Sequence, residues 1–345
     1  MLSLSGDAVA LNVGEGASVY PRANYLANGH ILGAYTAFPP ATGVQQLTLV
    51  TSTDQGASWH LTGTAATRPV NEASLDNPYP LQLPSGEILL AYRNHDKDEQ
   101  NNWTTYRITI SRSRDLGLTW EFLSEPVVID ARCSTNGAWE PFLRNTKDGT
   151  LELYYSQELK DDDQDNVMLV SADGGLTWHH EKPISGAHRK SSRDGMVGVV
   201  EVSEGSLLAV YESNDRGGCF SVYSSSSSNH GETWDDRRPV YIAPPGRNAG
   251  APQVIRVGDT LVVSFMTDED RAANEDPETR RRNWPEIAAA KLLTSSDGGV
   301  TWDNKLTVFP IHADWPGLLA LRDEEAFLYL AGYGGGVKAQ KVVLS

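Results

Sequence analysis

Apolar and polar positions alternate along this chain in short runs, and Gly, Pro, Asn and Asp separate the runs. A period of two residues is typical of β-strands with one buried face. The runs come in pairs, which predict the first two strands, A and B, of successive units. In chain order the predicted A and B strands are 20–26 and 30–36, 79–83 and 88–93, 139–144 and 151–157, 196–202 and 206–212, and 251–257 and 260–267.

An eight-residue motif interrupts this pattern five times, at residues 52–59, 113–120, 171–178, 227–234 and 295–302. Its closing tryptophans are 61, 58, 56 and 68 residues apart. Each copy suits a hairpin turn, because an Asp or Asn can bond nearby backbone amides, a Gly allows positive φ, and the Trp can enter the core. The near-even spacing indicates radially repeated four-stranded sheets, as in a β-propeller, with the motif between strands C and D.

The motif resembles the Asp-box of the sialidase superfamily, with Asn229 replacing the Asp in the fourth copy. In that superfamily the box holds the outer hairpins together, away from the active site. We therefore expect all five copies to be structural and none to bind substrate.

The final unit contains strands but no such motif. Residues 317–321, 326–332 and 337–344 supply three predicted strands, and residues 7–12 are the candidate fourth. We therefore predict an all-β fold, a six-bladed β-propeller with four-stranded antiparallel blades, whose N-terminal strand completes the last blade. The whole chain, 1–345, is expected to form this single domain, since a repeat around one axis overrides the length-based expectation of two domains.

Charge and composition restrict the classes of molecule that this chain is expected to bind. The chain has 45 acidic and 29 basic residues and a formal net charge of −16, which disfavours nucleic acid and anionic membranes and suits a neutral glycan. No segment approaches the length of a membrane span. Cys133 and Cys219 fit no disulfide framework or metal motif, so we expect two buried thiols, with one bridge left open, and neither a metal nor another cofactor. We expect a secreted monomer; a cytoplasmic location stays open, because the first residues lack a signal-like pattern.

Candidate site residues follow from propeller geometry, in which A strands begin and B strands end on one face beside the central channel. From A strands the candidates are Arg22, Asn77, Tyr79, Trp139, Glu140, Arg193, Asp194, Asn248 and Trp315, and from B strands they are Tyr35, Arg93, His95, Gln157, Glu158, Glu212, Asp268 and Tyr333. Polar inserts at 96–103, 160–165 and 268–283 are predicted on one face, where function usually lies.

Glu140 and Glu212 are distinctive because aromatic and strand residues, rather than charged runs, surround them. Paired carboxyl groups beside aromatic rings suit glycoside hydrolysis, with one protonated and the other ionised. Other interpretations remain open. Either Glu can be an ion-pair partner of Arg22, Arg93 or Arg193; Trp139, Trp284 and Trp315 can be core residues rather than sugar platforms; and His95 can be a hydrogen-bonded rim residue.

Five segments resemble glycoside hydrolase family 93: residues 20–26, 33–36, 77–79, 139–141 and 210–212. The resemblance extends from about Val13 to Val337. It implies a retaining, exo-acting enzyme that releases arabinobiose from the non-reducing end of α-1,5-L-arabinan. Glu140 and Glu212 match the catalytic glutamates of that family, and we lean towards Glu140 as nucleophile and Glu212 as acid/base.

Two alternatives come from other classes. A sialidase needs an arginine triad and a Tyr nucleophile, for which Arg22, Arg193, Arg247 and Tyr333 are available; its typical Arg-Ile-Pro segment is absent from the first A strand, which reads Tyr20-Pro21-Arg22. A non-catalytic glycan-binding propeller has no need of two carboxyl groups in the channel.

Overall fold

The computed structural model describes residues 2–12, 14, 16–133, 137–215, 218–271, 283–322 and 325–344. Within these ranges there are 24 β-strands and one short 3-10 turn, Pro285–Ile287. Strands follow the alternating segments of the sequence because each segment buries one face and exposes the other.

Antiparallel hairpins group the strands into four-stranded sets, numbered here from one to six. Set one contains β2 (Ala17–Tyr25), β3 (Ile31–Phe38), β4 (Val44–Ser52) and β5 (His60–Pro69); set two contains β6 (Ala73–Gln82), β7 (Ile88–Lys97), β8 (Trp103–Ser113) and β9 (Glu121–Asp130); set three contains β10 (Gly137–Asn145), β11 (Leu151–Lys160), β12 (Asp163–Ser171) and β13 (His179–Ser185). Set four contains β14 (Ser192–Ser203), β15 (Ser206–Asp215), β16 (Ser221–Ser227) and β17 (Asp235–Tyr241); set five contains β18 (Ala249–Val257), β19 (Thr260–Thr267), β20 (Ala289–Ser295) and β21 (Asp303–Phe309); set six contains β22 (Ala313–Ala320), β23 (Ala326–Tyr333), β24 (Gly336–Leu344) and β1 (Leu2–Ala10).

The fold is an all-β propeller of antiparallel four-stranded sheets. Strand pairing gives five sheets rather than six, because sets three and four join into one eight-stranded sheet. The join is a single parallel pair between Gln164 of β12 and Arg193 of β14.

The N-terminal strand completes the last set, as the sequence predicts. β1 pairs antiparallel with β24, and its register runs from Leu2 opposite Leu344 to Ala10 opposite Lys338. The strand is Leu2–Ala10, which begins and ends earlier than the predicted 7–12.

The hydrophobic core lies between the sets. Each neighbouring pair shares one buried cluster: Tyr35, Trp59 and Leu328 join sets six and one, for example, and Tyr154, Val199 and Tyr211 join sets three and four. The first strands, β2, β6, β10, β14, β18 and β22, each contact the next, and β22 contacts β2. They therefore form a closed ring.

Two expectations need correction, and a third falls mostly outside the described residues. Cys133 and Cys219 are exposed rather than buried, because both lie outside the strands. The segments 96–103 and 160–165 are short turns flanked by strands that extend into them. Of the insert 268–283, residues 272–282 lie outside the described residues.

Candidate active site

The first strand of every set contains a bulge at an equivalent position, where its register against the second strand shifts; in set four a second shift follows between Glu201 and Ser203. One residue of each bulge has a positive φ, and we call these six residues the bulge ring. The bulge ring consists of Tyr20 (53°), Asn77 (56°), Glu140 (44°), Met196 (55°), Ala251 (51°) and Trp315 (49°). Residues with a Cβ avoid this region at a cost of about 1–3 kcal/mol each. Bulges re-aim side chains, so the strain occurs where side chains turn towards the centre.

The residue before each bulge-ring position pairs with a residue of the second strand. These pairs are Val19 with Thr36, Asp76 with Arg93, Trp139 with Ser156, Gly195 with Glu212, Gly250 with Met266, and Asp314 with Gly332. Glu140 and Glu212 therefore reach the centre from two different repeat positions in neighbouring sets. Glu140 is a bulge-ring residue of set three, whereas Glu212 is a second-strand partner in set four.

A central pocket opens where the first strands meet. It is lined by Tyr20, Arg22, Asn77, Tyr79, Glu140, Pro141, Phe142, Met196, Val197 and Gln253. The rings of Tyr20 and Trp315 stack beside it, with centroids 4.4 Å apart. Arg22 is held by the carbonyl oxygens of Pro21 (2.8 Å) and Trp315 (3.1 Å). Four predicted residues, Arg22, Asn77, Tyr79 and Glu140, thus line one pocket.

The pKa of Glu140 is raised to about 8. Burial is the main cause, and the charges of Glu212 and Asp76 add to it, whereas Arg93 and a hydrogen bond from Ser156 act in the opposite direction. Glu212 is therefore close enough for its charge to raise the pKa of Glu140.

Glu212 also has a raised pKa, about 7, because it is buried. The backbone N–H of Ala251 donates to its Oε2 over 2.8 Å, and this bond and the charge of Arg193 favour the ionised form. Gly250 leaves room for the same oxygen, since a Cβ at that position would lie 2.2 Å from Glu212 Oε2 and 3.1 Å from Trp284. With Oε2 accepting from a backbone amide, a proton on Glu212 belongs on Oε1.

Arg93 and Trp139 form one wall beside Glu140. Arg93 donates to Asp76 Oδ2 (3.1 Å) and Ser74 Oγ (3.0 Å), and its guanidinium lies 5.4 Å from the centre of the Trp139 ring. The indole N–H of Trp139 donates to Glu158 Oε2 (3.0 Å). These contacts fix the orientation of the Trp139 ring and hold Arg93 beside Asp76.

His95 lies behind this wall rather than in the pocket. It is fully buried, its Nε2 lies 2.8 Å from Ala138 O, and its ring packs edge-on against Trp139. Burial lowers its pKa to about 3. We therefore assign His95 to supporting Trp139 and not to substrate contact.

Arg193 and Asp194 begin the first strand of set four and have separate partners. Arg193 donates to Glu158 Oε1 (2.7 Å) and Gln164 Oε1 (3.1 Å). Asp194 is fully buried and accepts from Arg237 (2.5 Å) and Ser192 (2.8 Å). Arg193 remains near Glu212, as its effect on the Glu212 pKa shows, whereas Asp194 is an internal ion-pair partner.

Four more residues that the sequence predicts to contact substrate are not among the residues that line the pocket. Tyr35 is 3% exposed within the core between sets six and one. Tyr333 packs against Phe309 of set five, with centroids 5.2 Å apart. The Asn248 side chain accepts from the Phe220 amide (3.0 Å). Gln157 is partly buried opposite Ala138 and Asp165.

The misplacement of Tyr35 has a simple cause. Successive side chains of a strand point to opposite faces, and Thr36, not Tyr35, pairs with Val19 before the bulge. The positions equivalent to Tyr35, one residue before each second-strand partner, are Tyr92, Tyr155, Tyr211, Phe265 and Ala331, all buried. Tyr333 follows Gly332 by one residue and faces away for the same reason.

Sequence reasoning missed several residues of the centre: Tyr20 as a lining residue, and Asp76, Ser156, Gly250 and Asp314. A signal for them was present, since five of the six bulge-ring residues precede a proline. The five prolines are Pro21, Pro78, Pro141, Pro252 and Pro316. This repeat marks the first strand in sets one, two, three, five and six.

Among the described residues, no group of three or more His, Cys, Asp and Glu side chains is placed to hold a metal ion. Nor does that part of the chain contain a helix of the length and apolarity that crossing a membrane requires.

A family model described as "BNR repeat-like domain" matches residues 29–309. The chain therefore belongs to the family of BNR repeat-like domains, as its repeated hairpins and propeller sheets indicate. No curated protein matches the sequence.

Solved structures share the fold at low identity. The α-L-arabinanase of Penicillium chrysogenum, complexed with arabinobiose, is 20% identical with a TM-score of 0.74, covering 99% of this chain and 98% of that one. A family 93 α-L-arabinofuranosidase of Fusarium graminearum, also with arabinobiose, is 20% identical with a TM-score of 0.73, and 97% of each chain is covered. NanB sialidase from Streptococcus pneumoniae is 12% identical with a TM-score of 0.63, covering 99% of this chain and 69% of that one. The chain thus shares its fold with these two enzymes and, at a lower TM-score, with the sialidase.

Proposed function

We propose that this protein is a retaining, exo-acting glycoside hydrolase that releases arabinobiose from the non-reducing end of α-1,5-L-arabinan. The observation that carries the proposal is the pair Glu140 and Glu212. Glu140 lines the central pocket, the charge of Glu212 raises its pKa, and Glu212 accepts from the amide of the bulge-ring residue Ala251. We further propose that the six sets are six blades of one propeller domain, 1–345, acting as a secreted monomer. The closed ring of first strands supports the blade count.

A retaining mechanism needs a carboxylate that attacks the anomeric carbon and a second carboxyl group that protonates the leaving oxygen. We retain Glu140 as nucleophile, because Arg93 lies on its side of the pocket and stabilises its ionised form. Glu212 fits the acid/base role, because the amide of Ala251 binds Oε2 and leaves Oε1 to carry the proton. The pKa order, about 8 for Glu140 and about 7 for Glu212, favours the opposite roles in the empty pocket. An experiment must therefore assign them.

Aromatic rings supply sugar platforms in the proposed site. Tyr20 and Tyr79 line the pocket together with Glu140, Trp315 stacks on Tyr20, and Trp139 precedes Glu140 in the same strand. Arg22, Asn77 and Arg93 provide polar contacts, and Arg193 acts near Glu212. Tyr35, His95, Asp194, Asn248 and Tyr333 are left out of the proposed contacts, and Gln157 is kept only as a rim residue.

The partners of three arginines, Arg22, Arg193 and Arg247, argue against the sialidase alternative. Arg22 and Arg247 donate to backbone carbonyl oxygens, and Arg193 is paired with Glu158. Tyr333, its candidate nucleophile, packs on Phe309 beneath Lys338.

The test is a panel of debranched arabinan, sialyl-lactose and xylan with analysis of the products. Arabinobiose from arabinan alone supports the proposal, and release of sialic acid refutes it. With an activated aryl arabinoside, azide should rescue Glu212→Gln with retained configuration if Glu212 is the acid/base. Retained rescue of Glu140→Gln instead reverses the two roles.

A further inference from the structure

Asp314 occupies in set six the repeat position that Asp76 occupies in set two. Each precedes a bulge-ring residue, Trp315 or Asn77, and each pairs with the equivalent residue of the second strand. In set two that partner is Arg93, which forms an ion pair with Asp76 at 3.1 Å. In set six it is Gly332. The cation that accompanies the carboxylate in set two is therefore replaced by a residue without a side chain.

The Asp314 carboxylate occupies the space left by that missing side chain. A Cβ on Gly332 would lie 2.1 Å from Asp314 Oδ1, too close for both to coexist unchanged. Among the described residues this buried oxygen has no hydrogen-bond partner. Asp76 Oδ1, in contrast, accepts from Thr36 (2.6 Å) and from the amide of Asn77 (2.8 Å).

The position of Asp314 places it beside the proposed site. Its neighbour Trp315 stacks on Tyr20 and accepts from Arg22, and both Tyr20 and Arg22 line the central pocket. The Asp314 side chain is partly exposed, and the charge of Asp76 influences it from across set one. Asp314 thus lies next to residues that contact the pocket lining, in set six, which is opposite set three and Glu140 in chain order around the ring.

We propose that Asp314 is a specificity-determining residue that accepts hydrogen bonds from hydroxyl groups of a neutral sugar bound in the central pocket. Because Asp314 Oδ1 is shielded from solvent without a donor among the described residues, the carboxylate carries a substantial desolvation cost. A sugar hydroxyl group that donates to the partly exposed carboxylate offsets part of that cost. A carboxylate with no adjacent cation also repels an anionic sugar. The inference rests on the proposed function for the location of the sugar and adds a residue that selects it.

The test measures binding in the Glu140→Gln protein, so that no probe is consumed. Arabinotriose, xylotriose, cellotriose and 3′-sialyllactose are titrated by calorimetry into this protein and into three versions with a second change. Asp314→Asn removes the charge. Gly332→Ala keeps the carboxylate and displaces it. Asp259→Asn is the control, because Asp259 is a fully exposed turn residue paired only with Arg256 among the described residues.

We expect arabinotriose to bind, and both Asp314→Asn and Gly332→Ala to weaken its affinity by about 10-fold or more, as for the loss of a hydrogen bond to a charged group. Asp259→Asn should leave the affinity within a factor of two. Unchanged affinity in both Asp314→Asn and Gly332→Ala overturns the inference, and if Asp314→Asn does not fold, Gly332→Ala decides alone.

The other probes separate this inference from the proposed function. Binding of xylotriose or cellotriose in place of arabinotriose, with the same dependence on Asp314, supports the inference and refutes the arabinan assignment. Tight binding of 3′-sialyllactose, or binding of no neutral trisaccharide, overturns both.

Discussion

The outer hairpins and the bulge ring both repeat from set to set, but residue types recur in the hairpins and a backbone conformation recurs in the bulge ring. At the outer hairpins the residues themselves recur: in box three Ser171 Oγ donates to Asp173 (2.8 Å), and Thr177 donates to Asp173 through N–H (2.9 Å) and Oγ1 (2.6 Å). The same bonds recur in boxes one, two and five. In the bulge ring only the backbone recurs, since Tyr, Asn, Glu, Met, Ala and Trp share one conformation.

This difference separates stability from function. Similar side chains with equivalent bonds close each hairpin. The hairpin also packs against a neighbouring set; Gly56 of box one, for example, lies against Leu328 of set six. A shared strained backbone with six different side chains instead presents varied chemistry at one centre. We therefore expect changes at the boxes to alter stability and changes at the centre to alter catalysis.

The largest expected effect is on turnover at the centre. Glu140→Gln and Glu212→Gln should each lower kcat on arabinan by several orders of magnitude, because each removes a nucleophile or a proton donor while keeping its shape. Circular dichroism and the melting temperature check that the fold is intact. Near-normal turnover by both variants contradicts the hydrolase proposal.

A smaller loss of turnover should follow from Gly250→Ala. The new methyl group would lie 2.2 Å from Glu212 Oε2, so Glu212 must shift and lose its bond from the Ala251 amide. We expect kcat to fall roughly 10- to 100-fold, in line with the cost of misplacing a catalytic group by about 1 Å. Gly14→Ala is the matched control, because a Cβ at Gly14 meets no atom within 4 Å. Equal kcat in the two variants refutes this role for Gly250.

At the boxes the expected effect is on stability. Asp173→Ala removes three hydrogen bonds at an exposed turn and should lower the free energy of unfolding by about 1–3 kcal/mol. Denaturant titration measures the loss. Activity per folded molecule should be unchanged, and a large fall in kcat at full folding would place box three in the site, against our interpretation.

The raised pKa values also predict how stability depends on pH. A carboxyl group whose pKa is higher in the folded protein favours folding while protonated, and that contribution is lost as pH rises from about 4.5 through the folded value. For Glu140 the folded value is about 8. Glu140→Gln should therefore melt a few degrees above the unmodified protein at pH 9 and at about the same temperature at pH 4. A difference that is independent of pH argues against the buried, protonated form.

The smallest expected change is at box four, where Asn229 takes the place of Asp. Asn229 Oδ1 accepts from the Thr233 amide (3.0 Å), and its Nδ2 donates to Thr233 Oγ1 (3.0 Å), so the turn is already closed. Asn229→Asp makes the accepted bonds charge-assisted and should stabilise the protein by less than about 1 kcal/mol. Denaturant titration beside Asp173→Ala gives both values on one scale, and destabilisation by Asn229→Asp would show that box four is not equivalent to the others.

The chain has five boxes but six bulge-ring residues, and strand topology explains the difference. A box closes the hairpin between the third and fourth strands of a set. In set six these strands are β24 and β1, which are not consecutive in the chain, so that set has no such hairpin to close. The sequence therefore shows five boxes beside six bulge-ring residues.

The sequence by itself determined the repeat, the strands, the closure by the N-terminal strand and the candidates Glu140 and Glu212, because periodic patterns and turn chemistry are local. Only the tertiary structure decided which candidates reach the centre. Successive side chains of the second strand point to opposite faces, and Tyr35 and Tyr333 each lie one residue away from the position, Thr36 or Gly332, that pairs with the first strand before its bulge. Asp76 and its partner Arg93 are 17 residues apart along the chain, and Asp314 and its partner Gly332 are 18 residues apart. No local sequence pattern specifies whether the carboxylate lies beside a cation or beside a glycine.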